Sequence, residues 1–408
     1  MKKMFLITCA LILFTVSIKA QQEKPSFGIS FSGFVKTDIM YDTRQTVAIR
    51  EGHFLLYPTN ELLDKNNDDI NAKSNFNILS IQTRLTGKIT APDAFGAKTS
   101  GQLEGEFFGT ADGDVNGFRL RHAFVKLDWE NASLLVGQTW HPMFITEMFP
   151  GVVSFNTGVP FQPFSRNPQI RFTYSASGVK FILAAATQRD FQSNGPTGFS
   201  SIYLRNSVIP NLHAQVQYSK NGNLAGFGLD YKTLTPRLQT TKNYKTDATV
   251  SGLSALGFFK LNLDPITVKA EGVYGQNIPD LMQIGGYAVK SADAITGVES
   301  YAVLSNFSAW GEISTGKETE YAIFFGYSKA LGASDNIGGL YFGRATDIEN
   351  IFRISPRIQF NSEKTRISAE LEYTSAAYGT PNSLNKGKID NTKTVSNLRL
   401  LLAFYYFF

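Results

Sequence analysis

The residues of this sequence best suited to chemistry are charged side chains repeated at short, even spacings: Arg119 and Arg121, Glu104 and Glu106, Arg353 and Arg357, Glu370 and Glu372. In an extended strand, residues an even number apart point to the same face, so each pair concentrates one sign of charge on one face. Arginine's planar fork matches a carboxylate bidentately, and such rows suit ion pairing and anion recognition. Bond-making chemistry has no comparable signature. His53, His122, His141 and His213 are scattered without a zinc-protease spacing, and neither a nucleophile-elbow motif nor a phosphate-binding loop occurs. A serine and a histidine on neighbouring strands leave no local pattern, so a barrel-embedded hydrolase remains one alternative, and a structural or adhesive barrel another. The stretch DGDVNG sets Asp112, Asp114 and Asn116 at the spacing of a calcium loop, but its twelfth position is Ala123 rather than glutamate, which reads as a plain turn. No catalytic, cofactor or metal-ligating residue is assigned.

The elements that carry these charges are strands. From Phe408 backwards, Tyr406, Phe404, Leu402, Leu400 and Leu398 form an apolar face of period two. Between Phe76 and Thr90, Leu79, Ile81, Leu85 and Ile89 alternate with Ser80, Gln82, Arg84 and Lys88. In Phe118 to Trp129 the phase slips, because Arg119 and Arg121 share a parity that Lys126 and Asp128 do not; this predicts a bulge near His122 and Ala123. Sixteen such strands can be read, joined alternately by short turns such as ENA, SASG and SEK and by long polar segments. That asymmetry belongs to a transmembrane antiparallel β-barrel with short periplasmic turns and long extracellular loops. A further hairpin hidden in Gly198 to Pro210 would raise the count to eighteen.

Composition agrees. Lys2 and Lys3, the apolar run Met4 to Ile18 and Ala20 make a secretory signal peptide over residues 1–20, leaving residues 21–408 as a single barrel domain in the outer membrane. Cys9, the sole cysteine, lies within that signal. Removing three signal lysines takes the balance from 39 basic and 34 acidic residues to 36 and 34, or +2, which removes the electrostatic case for nucleic-acid binding. With 33 phenylalanines, 17 tyrosines and 35 glycines, the chain is provisioned for aromatic girdles and tight turns. The first strand begins close to the cut site, which leaves no room for a plug domain.

FSGFVKTDIMYD, GFRLRHAFVKL followed by SLLVGQTW, FRISPRIQF and AELEYTSAAYG resemble segments of the DcaP-like outer-membrane porins. The resemblance implies a sixteen-stranded trimeric channel that takes up small carboxylic acids. Some members carry an N-terminal helical extension, for which Gln21 to Ser26 leaves no space.

For a barrel of this size the lumen is aqueous, and a charge on the lipid face costs about 2–4 kcal/mol at the midplane, so the charged parity should face inward. The expected selectivity residues are Arg84, Glu104, Glu106, Arg119, Arg121, Glu147, Arg166 and Arg171. Arg84, Arg119 and Arg121 form a strip for small anionic solutes, unless Glu104 and Glu106 neutralise it. Residues 141–168, rich in apolar and proline residues, are the third long loop and should fold inward as a constriction. The run Ala184 to Ala186 offers a smooth surface for a homotrimer contact.

Overall fold

A computed structural model describes residues 27–408 except Thr110, Val115 and Asn116; the expected signal peptide lies outside the described residues. Sixteen antiparallel strands close into a barrel. The first eight are β1 (Gly28–Asp42), β2 (Asn75–Leu79 continuing as Arg84–Ala94), β3 (Ala97–Glu106), β4 (Arg119–Asp128), β5 (Ala132–Trp140), β6 (Arg166–Ala176), β7 (Val179–Ala186) and β8 (Asn211–Lys220). The remainder are β9 (Asn223–Leu234), β10 (Val250–Asn262), β11 (Ile266–Gln276), β12 (Glu299–Thr315), β13 (Thr319–Ala333), β14 (Ile348–Ser362), β15 (Thr365–Asn382) and β16 (Lys388–Phe407). Closure pairs β1 with β16, from Phe34 opposite Phe407 to Asp42 opposite Arg399, so no strand edge is left open to hydrocarbon.

The seam depends on close approach. Phe408 and Gly33 exchange backbone hydrogen bonds of 3.1 and 3.2 Å, and a Cβ on Gly33 would stand 2.1 Å from the Arg84 carbonyl oxygen. Along β16, Leu400, Phe404 and Tyr406 face outward while Arg399, Leu401 and Ala403 are buried within, as the period-two reading requires.

β2 departs from the regular strand expected over Phe76 to Thr90. Phe34 pairs with Arg84 and Asp38 with Leu79, so the four residues 80–83 stand opposite three of β1. That extra residue reverses the facing: Leu79 packs inside near Met40 and Leu401, while Leu85 is exposed outside. The β4 slip falls where expected, since Glu104 pairs with His122 but Gly105 with Leu120, leaving Arg121 as the bulged residue. Ala184 and Ala186 are buried inside the barrel, so the alanine run does not form a continuous outer surface. The segment Gly198 to Pro210 holds a two-residue ribbon strand, Gly198–Phe199, and a short helix, Ile202–Asn206. It adds no barrel hairpin, and the count stays at sixteen.

Four long connections turn into the lumen: L1 (residues 43–74), L3 (141–165), L4 (187–210) and L6 (277–298). L1 contains a hairpin, Thr46–Ile49 with Phe54–Pro58, whose second strand is wholly buried. Its Phe54 meets Phe108, Phe155, Phe164 and Phe191 at ring-centroid distances of 5.3–6.2 Å. L3 supplies Met143, Phe144, Phe161 and Phe164 to the same core, L6 supplies Ile278, Leu281 and Ile284, and the wall supplies Leu256, Phe258, Trp310 and Phe324. Apolar loop side chains would be costly in water, and an apolar sector of wall gives them a dry seat.

Candidate functional site

L3 crosses the lumen because the far wall satisfies its backbone. Its base is closed by His141 N–H donating to the Ser165 carbonyl at 2.9 Å, and β6 begins at Arg166. From there the loop reaches β12 and β15: Gly151 N–H donates to Glu312 at 2.7 Å, Val153 N–H to Glu370 at 2.7 Å, and the Asn156 side-chain Nδ2 to Glu372 at 2.9 Å. Wall cations take the carbonyls. Arg353 donates to Val159 at 2.6 Å and to Leu56 of L1 at 2.8 Å, Lys36 to Val153 at 2.9 Å, and Lys269 to Phe149 at 3.2 Å. Buried peptide groups must be paired, and here ionised side chains do it with the stronger, charge-assisted bonds. Phe161 completes the seat by lying against Gly326, where a Cβ would come within 2.2 Å of its ring.

Arg399 does the same for L1, holding Asp42 through two nitrogens at 2.8 and 2.9 Å and donating to the Gly52 carbonyl at 2.7 Å. Asp38 joins Lys36 at 3.1 Å to His53 of L1 at 2.6 Å. The inward parity of Arg353, Arg399, Glu370 and Glu372 was readable from sequence, but their loop-anchoring role was not, because it depends on where L1 and L3 come to rest.

The near wall is different. Arg84 bonds Glu106 at 3.0 Å and lies 3.5 Å from Glu104. Arg121, on the bulge, bonds Glu104 at 2.7 Å and also Glu106. Arg119 and Arg166 both hold Asp190 of L4 at 2.7 Å, and each stands 3.6 Å from Glu106. Burial works against the Asp190 carboxylate, but Arg166 and Arg119 outweigh it and hold its pKa below the ordinary value. Four guanidiniums thus share three carboxylates. Asp190 escaped the sequence reading, since nothing marks a single acid in a polar loop.

The remaining expected residues lie apart from this cluster. Glu147 of L3 bonds Lys180 at 2.8 Å; burial again opposes the charge, and Lys180 lowers the carboxyl below its usual range. Arg171 donates to Gln169 at 3.0 Å and to the Trp140 carbonyl. Glu106 and Arg166 are fully buried, whereas Arg84, Glu104 and Arg121 border open space. That space is a vestibule of about 660 Å³ beneath L3. Asp112 accepts from the Glu51 N–H at 2.7 Å, tying the DGDVNG turn to L1; no metal-type cluster of acids and histidines occurs among the described residues.

A closed sixteen-stranded barrel with a third loop folded inward is the architecture of an outer-membrane porin. A family model for Gram-negative porins matches residues 8–328, and the chain belongs to that family and to the outer membrane. No curated protein matches in sequence. Among solved structures, the outer-membrane channel DcaP of Acinetobacter baumannii superimposes with a TM-score of 0.67 at 14% identity, over 94% of this chain and 98% of that one. OmpT of Vibrio cholerae, in its trimer form, gives 0.56 at 9% identity, over 94% and 100%. OmpF of Salmonella typhi, in complex with daunomycin, gives 0.53 at 13%, over 93% and 97%. The expected likeness to DcaP-like porins holds at the level of fold.

Proposed function

We propose that this porin passes small hydrophilic solutes passively and favours anions, small carboxylic acids among them, with L3 as its constriction. The observation that carries this is the charge of the vestibule beneath L3: Arg84, Arg121, Lys269, Arg357 and Arg366 face it, against Glu104 and Glu320. The acids that balance these charges, Glu106 and Glu312, are fully buried. Low-dielectric walls focus such a local field on a passing ion even when the whole chain is close to neutral. Arg366 matters most for selectivity because its side chain hydrogen-bonds a neutral amide, Asn361 at 2.7 Å, and pairs with no carboxylate among the described residues.

The test is reversal potential across a planar bilayer in a potassium chloride gradient. Wild type should be anion-selective, and Arg366→Gln should move the potential towards zero; a cation-selective wild type would reject the reading and leave a general diffusion pore. We also propose a homotrimer, supported by the family resemblance and by the trimer form of OmpT. Native mass in detergent showing only monomer would overturn that.

A further inference from the structure

L1 carries one imidazole at the point where its hairpin meets the barrel wall. His53, immediately before the buried second strand of the hairpin, is itself buried. Its ring lies between Phe108, which follows β3, and Phe155 of L3, at centroid distances of 5.6 and 5.4 Å. Nε2 lies 2.6 Å from Asp38, which also pairs with Lys36 at 3.1 Å. An ionised carboxylate only accepts, so Nε2 carries the proton and donates it. Nδ1 is then an acceptor, buried and without a partner among the described residues. A second proton would land there, between two phenylalanine rings, with nothing to receive its hydrogen bond.

The charges facing the ring are already matched. From β1 come Lys36 and Asp38, and from β16 comes Arg399, which holds Asp42 of β1 at 2.8 Å. Within L1, Arg50 pairs with Glu51 at 3.1 Å, and on β15 Glu372 is taken by Arg353 and by the Asn156 side chain. Phe108 and Phe155 bring no charge. A protonated His53 is therefore a surplus cation in a buried site. Burial first, and then Lys36 and Arg399, hold its pKa below the ordinary histidine value against the opposing pull of Asp38. The other side chains that grip the hairpin are Arg399 on the Gly52 carbonyl, Arg353 on Leu56, Arg44 on Thr59 and Tyr378 on Pro58. None of these changes charge between about pH 5 and 8.

We propose that His53 is a proton-operated latch, which seats the L1 hairpin in the lumen at neutral pH and frees it in acid. The sign follows from linkage. In the unseated loop His53 is solvated and takes up its proton near about pH 6.5, whereas the seated ring resists it. Seating is therefore at full strength above that pH and weakens as pH falls below it. Unseating carries Phe54 away from Phe155 and Phe164 of L3 and clears space in the lumen, so acid should widen the channel. The latch goes beyond the proposed selectivity and uses none of Arg84, Arg121 and Arg366.

Hydrogen exchange of the detergent-solubilised protein, read by mass spectrometry over residues 46–58 and corrected for the intrinsic rate at each pH, tests the latch; single-channel conductance reads its consequence. From about pH 8 to 5, wild type should lose at least tenfold in protection over this segment and gain conductance, while β13 stays protected. His53→Gln keeps a neutral donor for Asp38 but takes up no proton, so its protection and conductance should be the same at both pH values, with heat-modifiability verifying the barrel. A triple variant, His122→Gln, His141→Gln and His213→Gln, leaves His53 as the sole histidine of the four and should keep the wild-type response, so the assignment does not depend on how one variant seats. Equal wild-type protection at the two pH values, an acid loss that persists in His53→Gln, or a response abolished in the triple variant would overturn the latch. So would a conductance that stays constant or falls while protection is lost. A cation-selective channel that still releases L1 in acid would reject the selectivity reading and leave the latch standing.

Discussion

On the wall made by β2 to β6, Arg84, Arg119, Arg121 and Arg166 converge on Glu104, Glu106 and Asp190; across the lumen, Arg353, Glu312 and Glu370 turn to the backbone of L1 and L3, and Glu372 to the Asn156 side chain. Both walls follow the same inward parity with the same residue types. The near wall pairs its charges mostly with one another, one guanidinium in excess, and forms a charged lattice, whereas the far wall is completed only when two loops dock on it. Identical charge patterns along strands therefore serve either as an ion-pair lattice or as a socket for a loop, and the loops decide which.

The near wall should break hardest. In Glu106→Gln the carboxylate approached by four guanidiniums becomes neutral in a fully buried position. Removing one partner of a buried ionic network costs about 3–5 kcal/mol, so the temperature at which the folded band is lost on heating should fall markedly. An unchanged transition would mean that the cluster is not a cohesive unit. The same variant should become more anion-selective, since four guanidiniums then face two carboxylates.

On the far wall, Arg353→Ala should weaken the loops more than the barrel. It removes the bonds to Val159 and Leu56 carbonyls and to Thr374, leaving buried peptide groups unpaired at about 1–3 kcal/mol each. The expected result is larger and noisier single-channel conductance and protease cleavage within L1, with heat-modifiability retained. Conductance and cleavage equal to wild type would show that the apolar core alone seats the loops.

The barrel was legible because lipid imposes period two on every strand: sixteen strands and the β4 slip follow from alternation, whereas the last two strands run on into what reads as a loop, to Asn382 and from Lys388. β2 was misread before its break, at Leu79, since one extra residue at 80–83 reverses facing without leaving a compositional mark. L1 was read only as polar, although His53 to Tyr57 reads HFLLY, an apolar run whose burial was there to be inferred. The near-wall arginines and glutamates were placed correctly by parity, but their pairing was not, because parity fixes which face a side chain occupies and says nothing about which loop acid, here Asp190, arrives to meet it.

The smallest expected effect sharpens the contrast from the exposed end. Lys180 and Glu147 form a 2.8 Å pair whose side chains remain 35% and 43% exposed, in the same lumen as the buried cluster. Solvent screens such a pair and its geometry costs side-chain entropy, so it contributes roughly 0–1 kcal/mol. Glu147→Gln should therefore leave the heat-modification transition within about a degree of wild type, although its charge sits in the same cavity as Arg171. A large stability loss in Glu147→Gln, comparable to that of Glu106→Gln, would show that burial does not separate the two kinds of pair and that L3 is pinned at its start as firmly as at its far-wall socket.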